Sequence, residues 1–559
     1  MLTRLSLYLH TLRWLQFSQL IWQVYRRMRP VVATPNVSAE ACRQRIAATG
    51  FAAGPQSGQC ELRFLNISGP AEPDRIDWHP ADRSRLWRYN LHYFDYLHWD
   101  SIPEQYKAAY IESWITANPQ GTADAWEPYT LSLRVVNWIK FFSTREHVPV
   151  LWQQSLINQV YWLQHNLEHH ILANHYYKNA KALLFAGVWF SEERGAEFLQ
   201  RGQRLFVEQT REQVLEDGGH YERSPMYHCI VLEDCLDVVN LMQGSQALFT
   251  DEHVTAVSDA ALRMLRFFDD VRGADGRIPL FNDSAFGVAA EPAELLAYGS
   301  RLLGYEPLAT IAPPQQPAVV RYPQSGYYGY RNDNDSLIID CGAVGPDYQP
   351  GHTHCDMLSF ELCIDGQRIV VDPGVHGYED DETRHYLRST AAHNTVTLDN
   401  AEQSEIWGNF RVARRAKPLK PNVSDFCEGT QTFSGGHDGF SRLPQRARHW
   451  RTVSSHLAGR WDIVDEVEGS GDAVVRSYLH FSPDLALRPV AGQGFAVTRG
   501  GTIVARVVPD DSCETEIIES YVAFEFGRRE SAAGLCVLRR GTLPLRLSYR
   551  IERADIAAR

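Results

Sequence analysis

Residues 352–372 read HTHCDMLSFELCIDGQRIVVD and predict a β-hairpin. From Leu358 to Ile364 apolar and polar residues alternate, as in a strand with one buried face. Asp365-Gly366 is a turn signal, and Ile369 to Asp372 form the returning strand. Short alternating segments with glycine, asparagine and aspartate turns continue to the C-terminus, for example at 502–508 and 543–549. The second half of the chain therefore predicts an antiparallel β-sandwich.

Candidate metal ligands surround this hairpin, namely His354, Asp372 and His393. If the backbone before Leu358 is extended, His352, His354 and Asp356 share one face of the strand. A strict two-residue turn places Asp372 on the face opposite His354, whereas a three-residue loop or a bulge places both on the same face. A single histidine in such a strand is more often structural. The combination with Asp372 and His393 favours a functional site.

Two other metal motifs do not match. A metallo-β-lactamase centre needs a histidine directly after the aspartate of HxHxD, and Met357 stands there. The segment 332–335, Asn-Asp-Asn-Asp, lacks the glycine and the bidentate glutamate of an EF-hand loop. It is interpreted as a polar turn.

Composition places the chain among ordinary globular proteins of more than one domain. It has 559 residues, 44% hydrophobic and 22% charged, with a net charge of -13 and a pI near 5.9. This charge does not favour nucleic acid as a partner, and an acidic polymer would need a locally basic cleft. The candidate residues for such a cleft are Arg411, Arg414 and Arg415, with Lys417 and Lys420. Ten cysteines without framework spacing indicate free thiols.

The N-terminal segment, residues 1–30, interleaves arginines with leucines. Polar residues interrupt every apolar run, so the sequence predicts no signal peptide and no membrane span. A basic amphipathic helix could contact a membrane peripherally or pack on its own domain. The expected location is the cytoplasm or the face of an inner membrane, with the periplasm left open.

The repeat of apolar residues changes along the chain and divides it into domains. Residues 1–84 are an amphipathic helix and lead-in, and 85–310 show successive helices with apolar residues at three- and four-residue steps. The proline-rich segment 311–326 is predicted to be a linker. Residues 327–559 form the sandwich. The expected fold class is α+β and multidomain.

Three polar segments interrupt the helical half. Asn174-His175 joins two apolar helices, with Asn174 at an expected N-cap. Residues 217–228, DGGHYERSPMYH, form a loop with paired glycines. Asn282 lies in a third segment, which resembles a ligand loop and equally a turn.

Together these segments resemble the heparinase II/III family of polysaccharide lyases. The resemblance rests on WRYNLHYF at 87–94, WEPYTLSLRVVNW at 126–138, Asn174-His175, DGG at 217–219 and the block from His352 to Asp399. It covers about residues 85–420. It implies an incomplete (α/α) toroid followed by a layered antiparallel β-sandwich, with the active cleft between them.

The resemblance also implies roles for individual residues. Asn174 and His175 would neutralise a uronate carboxylate, Tyr227 would transfer protons, and His352 would face it from the sandwich. A structural zinc ion would be held by His354, Asp372 and His393, and no organic cofactor is expected. Some members have a glutamate where this chain has Lys178, which would alter the sugar accepted. Secreted members carry export signals, which are not seen here, so the resemblance also suggests bacterial capsule or exopolysaccharide production.

The chemistry explains these residue types. A lyase removes the C5 proton of a uronate, which becomes acidic when the adjacent carboxylate is neutralised, and Asn174 and His175 could stabilise the enolate. A tyrosine with a pKa of about 10 is a poor base, so Arg223 and His228 are expected to assist Tyr227. Tyr227 would then take the C5 proton and return one to the leaving oxygen, and His352 would be the alternative base for the other epimer or a substrate clamp. Tyr221, Asn282 and the three arginines are further candidates for substrate binding.

Three functional hypotheses follow. The first is a β-eliminating lyase acting on an acidic polysaccharide. The second is a metal-dependent glycan hydrolase or esterase that uses the His354 site. The third is a non-catalytic glycan-binding protein of capsule or exopolysaccharide assembly.

Overall fold

The structure is a computed structural model that describes residues 2–28, 33–38, 46, 50–52, 60–190, 192–308, 317–332 and 334–554. Pro313 and Pro314 of the predicted linker, and Asp333 of the predicted polar turn, lie outside these residues. The helices that precede the sandwich are α1 Leu2–Leu12, α2 Phe17–Met28, α3 Arg85–Tyr93, α4 Glu104–Ala117, α5 Pro128–Ser143, α6 Val150–His165, α7 Ala173–Trp189, α8 Glu192–Gln213, α9 Pro225–Gly244, α10 Asp251–Val271 and α11 Pro292–Leu303.

The first two strands form a small hairpin, and the strands of the larger sheets follow later in the chain. A short hairpin of β1 Leu62–Phe64 and β2 Ile67–Gly69 precedes the helical domain. The sandwich contains β3 Ala318–Tyr322, β4 Tyr327–Arg331, β5 Ser336–Asp340, β6 Phe360–Ile364, β7 Gln367–Val370, β8 Val396–Leu398, β9 Ile406–Trp407, β10 Arg411–Val412, β11 Pro418–Val423, β12 Thr430–His437, β13 Arg448–His456, β14 Arg460–Glu468, β15 Asp472–His480, β16 Leu485–Val490, β17 Gly494–Arg499, β18 Thr502–Pro509, β19 Glu514–Glu525, β20 Arg528–Thr542 and β21 Leu545–Arg553. A short helix, α12 Glu382–Leu387, lies between β7 and β8.

The helical half packs around α5 and α7, whose side chains are almost all buried. Helix α7 packs against α5 and α8, and α9 packs against α10 and α11. Aromatic rings fill the interior, for example Phe94, Trp114 and Trp138, which meet in edge-to-face pairs. The predicted toroid of helices is confirmed.

The sandwich has three large antiparallel sheets, and β9 and β10 form a separate two-stranded one. The strand orders of the large sheets are β3-β4-β5-β6-β7, β11-β12-β13-β14-β21-β18-β17-β16, and β19-β20-β15-β8. Strands β14 and β21 alternate buried residues with more accessible ones, and the buried apolar residues of both strands join one core. The predicted layered sandwich is confirmed.

The hairpin at 352–372 has a two-residue turn and a bulge. Ile364 pairs with Gln367 across Asp365-Gly366, and the register shifts between Leu362 and Cys363. The extra residue of the bulge shifts the pairing by one residue. This is the shift that an extended strand needs to place Asp372 on the same face as His354, which a strict two-residue pairing does not allow. This is one of the two arrangements that the sequence left open for Asp372.

Three local predictions differ from the structure. Residues 318–322 form β3, because their backbone pairs antiparallel with β4, so this part of the predicted linker is a strand. The N-terminal segment forms two helices, because the Gln19 side chain accepts a hydrogen bond from the Gln16 backbone N–H and starts α2 anew. Asn174 is inside α7, which begins at Ala173, and does not cap it.

A pair of glycines allows a close contact between the two domains. Gly218 has a φ of 93°, and a Cβ at Gly219 would lie 1.9 Å from Ser325 Oγ. The close approach lets the Asp217 carboxylate accept hydrogen bonds from the Ser325 N–H and hydroxyl, at 2.8 and 2.6 Å. The loop that leads to α9 is thereby fixed against the sandwich.

Candidate active site

A cleft of about 1350 Å³ lies between the helical domain and the sandwich. Asn174, His175 and Tyr227 line it from the helices, and His352 lines it from the sandwich. The four predicted catalytic residues therefore face one cavity, although His352 is 125 residues beyond Tyr227 in sequence.

Tyr227 and His352 are in direct contact. Their rings stack with centroids 3.8 Å apart and an interplanar angle of 25°. The Ser224 hydroxyl caps α9 by accepting from the Tyr227 N–H at 3.2 Å, and it donates to the Asp283 carbonyl at 2.6 Å. One serine thus fixes the first turn of α9 against the loop that holds His352.

The phenol of Tyr227 lies 3.1 Å from the phenol of Tyr378. Burial, with a further contribution from Tyr378, raises the pKa of Tyr227 well above its ordinary value. The residue is therefore a neutral proton donor in the free protein.

His352 is held between two carboxylates from the helical domain. Its Nδ1 lies 2.9 Å from Asp283 Oδ2, and its Nε2 lies 3.3 Å from Glu222 Oε2. Burial alone would raise the pKa of Asp283, but the guanidinium of Arg384 holds it well below its usual range. An ionised Asp283 fixes the orientation of the imidazole.

Asn174 and His175 follow a strained turn. Leu172 and Ala173 have φ values of 65° and 54°, in the left-handed region that disfavours side chains. The Asn174 amide donates to Glu222 Oε1 at 3.0 Å, so Glu222 contacts both Asn174 and His352. The strained turn and the Glu222 contact hold Asn174 at the cleft.

His175 is the more exposed of the pair, with 32% of its side chain accessible. Its Nδ1 lies 3.1 Å from Glu168 Oε1. Burial lowers the pKa of His175, but the Glu168 carboxylate outweighs this and leaves it above its ordinary value. The arrangement favours a protonated His175 whose positive charge faces the cleft.

The predicted zinc ligands are neighbours within the sandwich. His393 Nδ1 is 2.8 Å from Asp372 Oδ2, and the rings of His354 and His393 are 5.3 Å apart. His354 Nδ1 and His393 Nε2 are buried without a hydrogen-bond partner, and burial lowers the pKa of His354 to about 3, which leaves the neutral imidazole that metals bind. These residues fit zinc by donor chemistry, although in the described part of the chain no group of three or more His, Cys, Asp or Glu side chains converges into a ligand cluster.

The predicted assistants of Tyr227 do not face it. His228 contacts the Met264 carbonyl at 3.1 Å, and burial lowers its pKa to about 3, so it carries no charge at neutral pH. The Arg223 guanidinium donates to the carbonyls of Gly345 and Gln324. Arg223 thus joins the helical domain to the segments around β3 and β5, whereas His228 packs inside the helical domain, and neither side chain lines the cleft.

Two further candidates for substrate binding also lie away from the cleft lining. The Tyr221 hydroxyl is 3.1 Å from that of Tyr348. The Asn282 side chain donates to the Arg223 carbonyl at 2.9 Å and accepts from the His354 N–H at 3.0 Å. Tyr221 and Asn282 were predicted to contact substrate. In the structure they instead form hydrogen bonds with neighbouring protein groups.

The three arginines predicted to line the cleft contact the N-terminal helices instead. Arg414 donates to Ser6 of α1 at 3.1 Å and pairs with Glu405. The guanidinium of Arg411 lies over Tyr8 of α1 and over Trp407 of β9, and that of Arg415 lies over Trp14. The three guanidinium groups therefore help to hold α1 and the following turn against the sandwich.

Several residues that support the cleft side chains were not predicted from the sequence. Glu222, Asp283, Tyr378, Arg384 and Glu168 all contact a predicted catalytic residue directly or through one partner. Glu222 and Asp283 directly follow residues that were singled out, so polar neighbours within the same loops were the available signal. Lys178, the departure noted above, lines the cleft and pairs with Asp234 at 2.7 Å.

Comparison with known proteins identifies the matching family models. Residues 18–294 match the heparinase II/III N-terminus, and residues 314–549 match the heparinase II/III-like C-terminal domain. No helix among the described residues has the length and apolar character needed to cross a bilayer.

Two curated relatives and one solved structure illustrate the similarity. A heparin-sulfate lyase of Bacteroides stercoris is 24% identical over 54% of this chain, and the match spans 48%, about half, of that relative. FtsZ-localized protein C of Caulobacter vibrioides is 24% identical over 90% of this chain and 88% of its own length. A crystal structure of heparinase III matches with a TM-score of 0.67 at 17% identity, over 95% of this chain and 88% of the other, and supports the fold.

Proposed function

The chain belongs to the heparinase II/III family, and on that premise we propose that it is a carbon-oxygen lyase that cleaves a uronate-containing polysaccharide by β-elimination. The observation that carries the proposal is the contact between Tyr227 and His352 at a cleft that Asn174 and His175 also line. A proton donor, an imidazole and a cationic group for a carboxylate thus lie around one cavity.

In the proposed reaction, His175 and Asn174 face the uronate carboxylate. Positive charge there stabilises the enolate that forms when the C5 proton leaves. His175 supplies this charge because the Glu168 carboxylate raises its pKa. Bound substrate would replace Glu222 as the acceptor of a hydrogen bond from the Asn174 amide.

Tyr227 and His352 would move the protons. Asp283 accepts from the Nδ1–H of His352. In the proposed step, bound substrate displaces Glu222 from Nε2, where it lies at 3.3 Å, and Nε2 then takes the C5 proton. The C4–O4 bond breaks as the C4–C5 double bond forms, and the neutral phenol of Tyr227 gives its proton to O4. The raised pKa of Tyr227 supports this acid role more than the base role inferred from the sequence.

We also propose a structural zinc ion at His354, Asp372 and His393, and peripheral membrane contact through the N-terminal helices. The uncommitted nitrogens of the two histidines support the first. Zinc would join β7 to the segment before β8 and so stabilise the loop that carries His352. A role in bacterial capsule or exopolysaccharide production completes the proposal.

The experiment is incubation of the purified protein with uronate polymers of different linkage, followed by ultraviolet absorbance of the unsaturated product. Wild-type protein should generate the chromophore on at least one polymer, and Tyr227→Phe should not. New reducing ends or released acyl groups without the chromophore, lost on chelation, would instead indicate the hydrolase or esterase.

A second candidate is a non-catalytic glycan-binding protein of polysaccharide assembly. It is supported by the match over 88% of FtsZ-localized protein C, a relative whose printed name, unlike that of the heparin-sulfate lyases, states no lyase activity. Retarded migration of the protein in gels that contain a uronate polymer, with no product formed, would support this candidate over the lyase.

A further inference from the structure

The N-terminal helices leave apolar side chains exposed to an unusual extent. Large apolar residues that are exposed number fifteen in the described part of the chain, and nine of them lie within the first 28 residues. On α1 they are Leu5, Tyr8, Leu9 and Leu12, and on α2 they are Phe17, Ile21, Val24, Tyr25 and Met28. Such a concentration is typical of a surface that meets an apolar partner.

The spacing of these residues defines one outward stripe on each helix. Leu5, Leu9 and Leu12 follow steps of four and three residues, and so do Phe17, Ile21, Val24 and Met28. We call these seven side chains the N-terminal surface.

The opposite faces of both helices are anchored to the protein. Thr11 accepts from Trp407 Nε1 at 3.1 Å, and Gln19 donates to the Tyr348 carbonyl at 3.4 Å. Trp22 stacks on His169 at 4.5 Å. Because these contacts occupy the inner faces, the exposed stripes are the outer faces of docked helices and not unfolded segments.

The charge of this region is opposite to that of the whole chain. Residues 1–28 contain Arg4, Arg13, Arg26 and Arg27 and no acidic residue, whereas the complete chain has a net charge of -13. Arg4, Arg13 and Arg27 are exposed beside the apolar stripes. Arginines that flank an apolar helix face suit anionic headgroups, because their stems lie along apolar surface and their guanidinium groups reach phosphate.

We infer that the N-terminal surface docks on a phospholipid bilayer that carries anionic headgroups. The inference rests on the membrane contact proposed above and is independent of the lyase chemistry. Arg26 also lines the cleft and contacts His170 at 2.9 Å, so docking would bring one end of the cleft close to the bilayer. A glycan chain held at the membrane would then lie near the catalytic residues.

Co-sedimentation of the full chain with vesicles tests the inference. Vesicles of phosphatidylcholine with phosphatidylglycerol should bind the protein, and vesicles of phosphatidylcholine alone should bind it at least about tenfold more weakly, because the arginines then lose the attraction of the anionic surface. Salt should weaken the binding to anionic vesicles. Equal binding to both kinds of vesicle would overturn the assignment of anionic lipid, and no binding to either would overturn the membrane contact as well.

A matched pair of variants isolates the surface. Ile21→Glu with Val24→Glu should reduce binding about tenfold or more, because both side chains leave the apolar stripe and repel anionic lipid. Leu457→Glu with Ile517→Glu makes the same change at sites that are similarly exposed elsewhere, at 45% and 47% against 52% and 55%, and should bind like wild type. Equal binding by the two variants, or a self-association abolished by the first variant in the absence of vesicle binding, would overturn the inference.

Discussion

The ring of Tyr227 on α9 lies 3.8 Å from the ring of His352 in the sandwich, and this contact joins the two domains at the cleft. Asp283, Glu222 and Ser224 hold it from the helical side. A separate helical domain or sandwich would retain only one of the two rings, so the proposed chemistry requires both domains.

Tyr227→Phe should lower the turnover of a uronate polymer by about a hundredfold to ten-thousandfold, the usual cost of losing a general acid. KM and the melting temperature should change little, because the ring and its stacking remain. Initial rates from ultraviolet absorbance measure the effect. Tyr221→Phe, which removes a hydroxyl bonded to Tyr348 and not to the cleft, is the control. Turnover near wild type for Tyr227→Phe would remove this residue from the mechanism.

Asp283→Asn should reduce kcat more than it raises KM. The change keeps the size of the side chain but removes the charge that orients His352 and pairs with Arg384. Stability should also fall, by about 3–5 kcal/mol, because Arg384 is left as an uncompensated buried charge.

Asp465→Asn separates these two effects. Asp465 is buried in the sandwich and binds His449 and Arg451, so a similar loss of stability is expected with kcat unchanged below the unfolding temperature. If both variants lose the same share of kcat, Asp283 has no specific part in catalysis.

The pH dependence of kcat/KM should show an alkaline limb that reports His175. Its pKa is raised by the Glu168 carboxylate, so the cation is present below the limb and is lost as pH rises through a value above about 6.5. Glu168→Gln removes the charge that raises this pKa and should move the limb to lower pH. Glu405→Gln, which removes a partner of Arg414 outside the cleft, should leave it in place. A limb that does not move in Glu168→Gln would contradict the role of His175 as the cation.

Asp372→Ala should lower the zinc content and the melting temperature together. A carboxylate and two imidazoles are a common zinc ligand set, and a structural site contributes folding free energy directly. Elemental analysis and thermal unfolding of the purified protein measure both quantities. Asp465→Ala should lower the melting temperature but keep the metal. Wild-type protein purified without metal, and as stable as the zinc-supplemented form, would refute the site.

The apolar pattern of the sequence determined both domains. The four- and three-residue steps of the helical half and the alternation in segments such as 543–549 each define one apolar face, and such a face is buried by packing it into a layer. The same local reasoning found the polar segments around Asn174, Tyr227 and His352, since such residues interrupt apolar helices and strands. It also left open a bulge in the hairpin at 352–372, which the structure contains.

The partners of those residues were decided only by the tertiary structure. Arg384 meets Asp283 from 101 residues away, and Tyr378 meets Tyr227 across 151 residues. No local pattern encodes such pairs, because a buried charge is satisfied by whichever opposite charge the packing brings to it. For the same reason the contacts of the basic run could not be assigned from the sequence. Arg411, Arg414 and Arg415 contact the N-terminal segment and do not line the cleft. Sequence periodicity sets which face of an element is buried, and only the packing of distant elements sets which charged groups meet there.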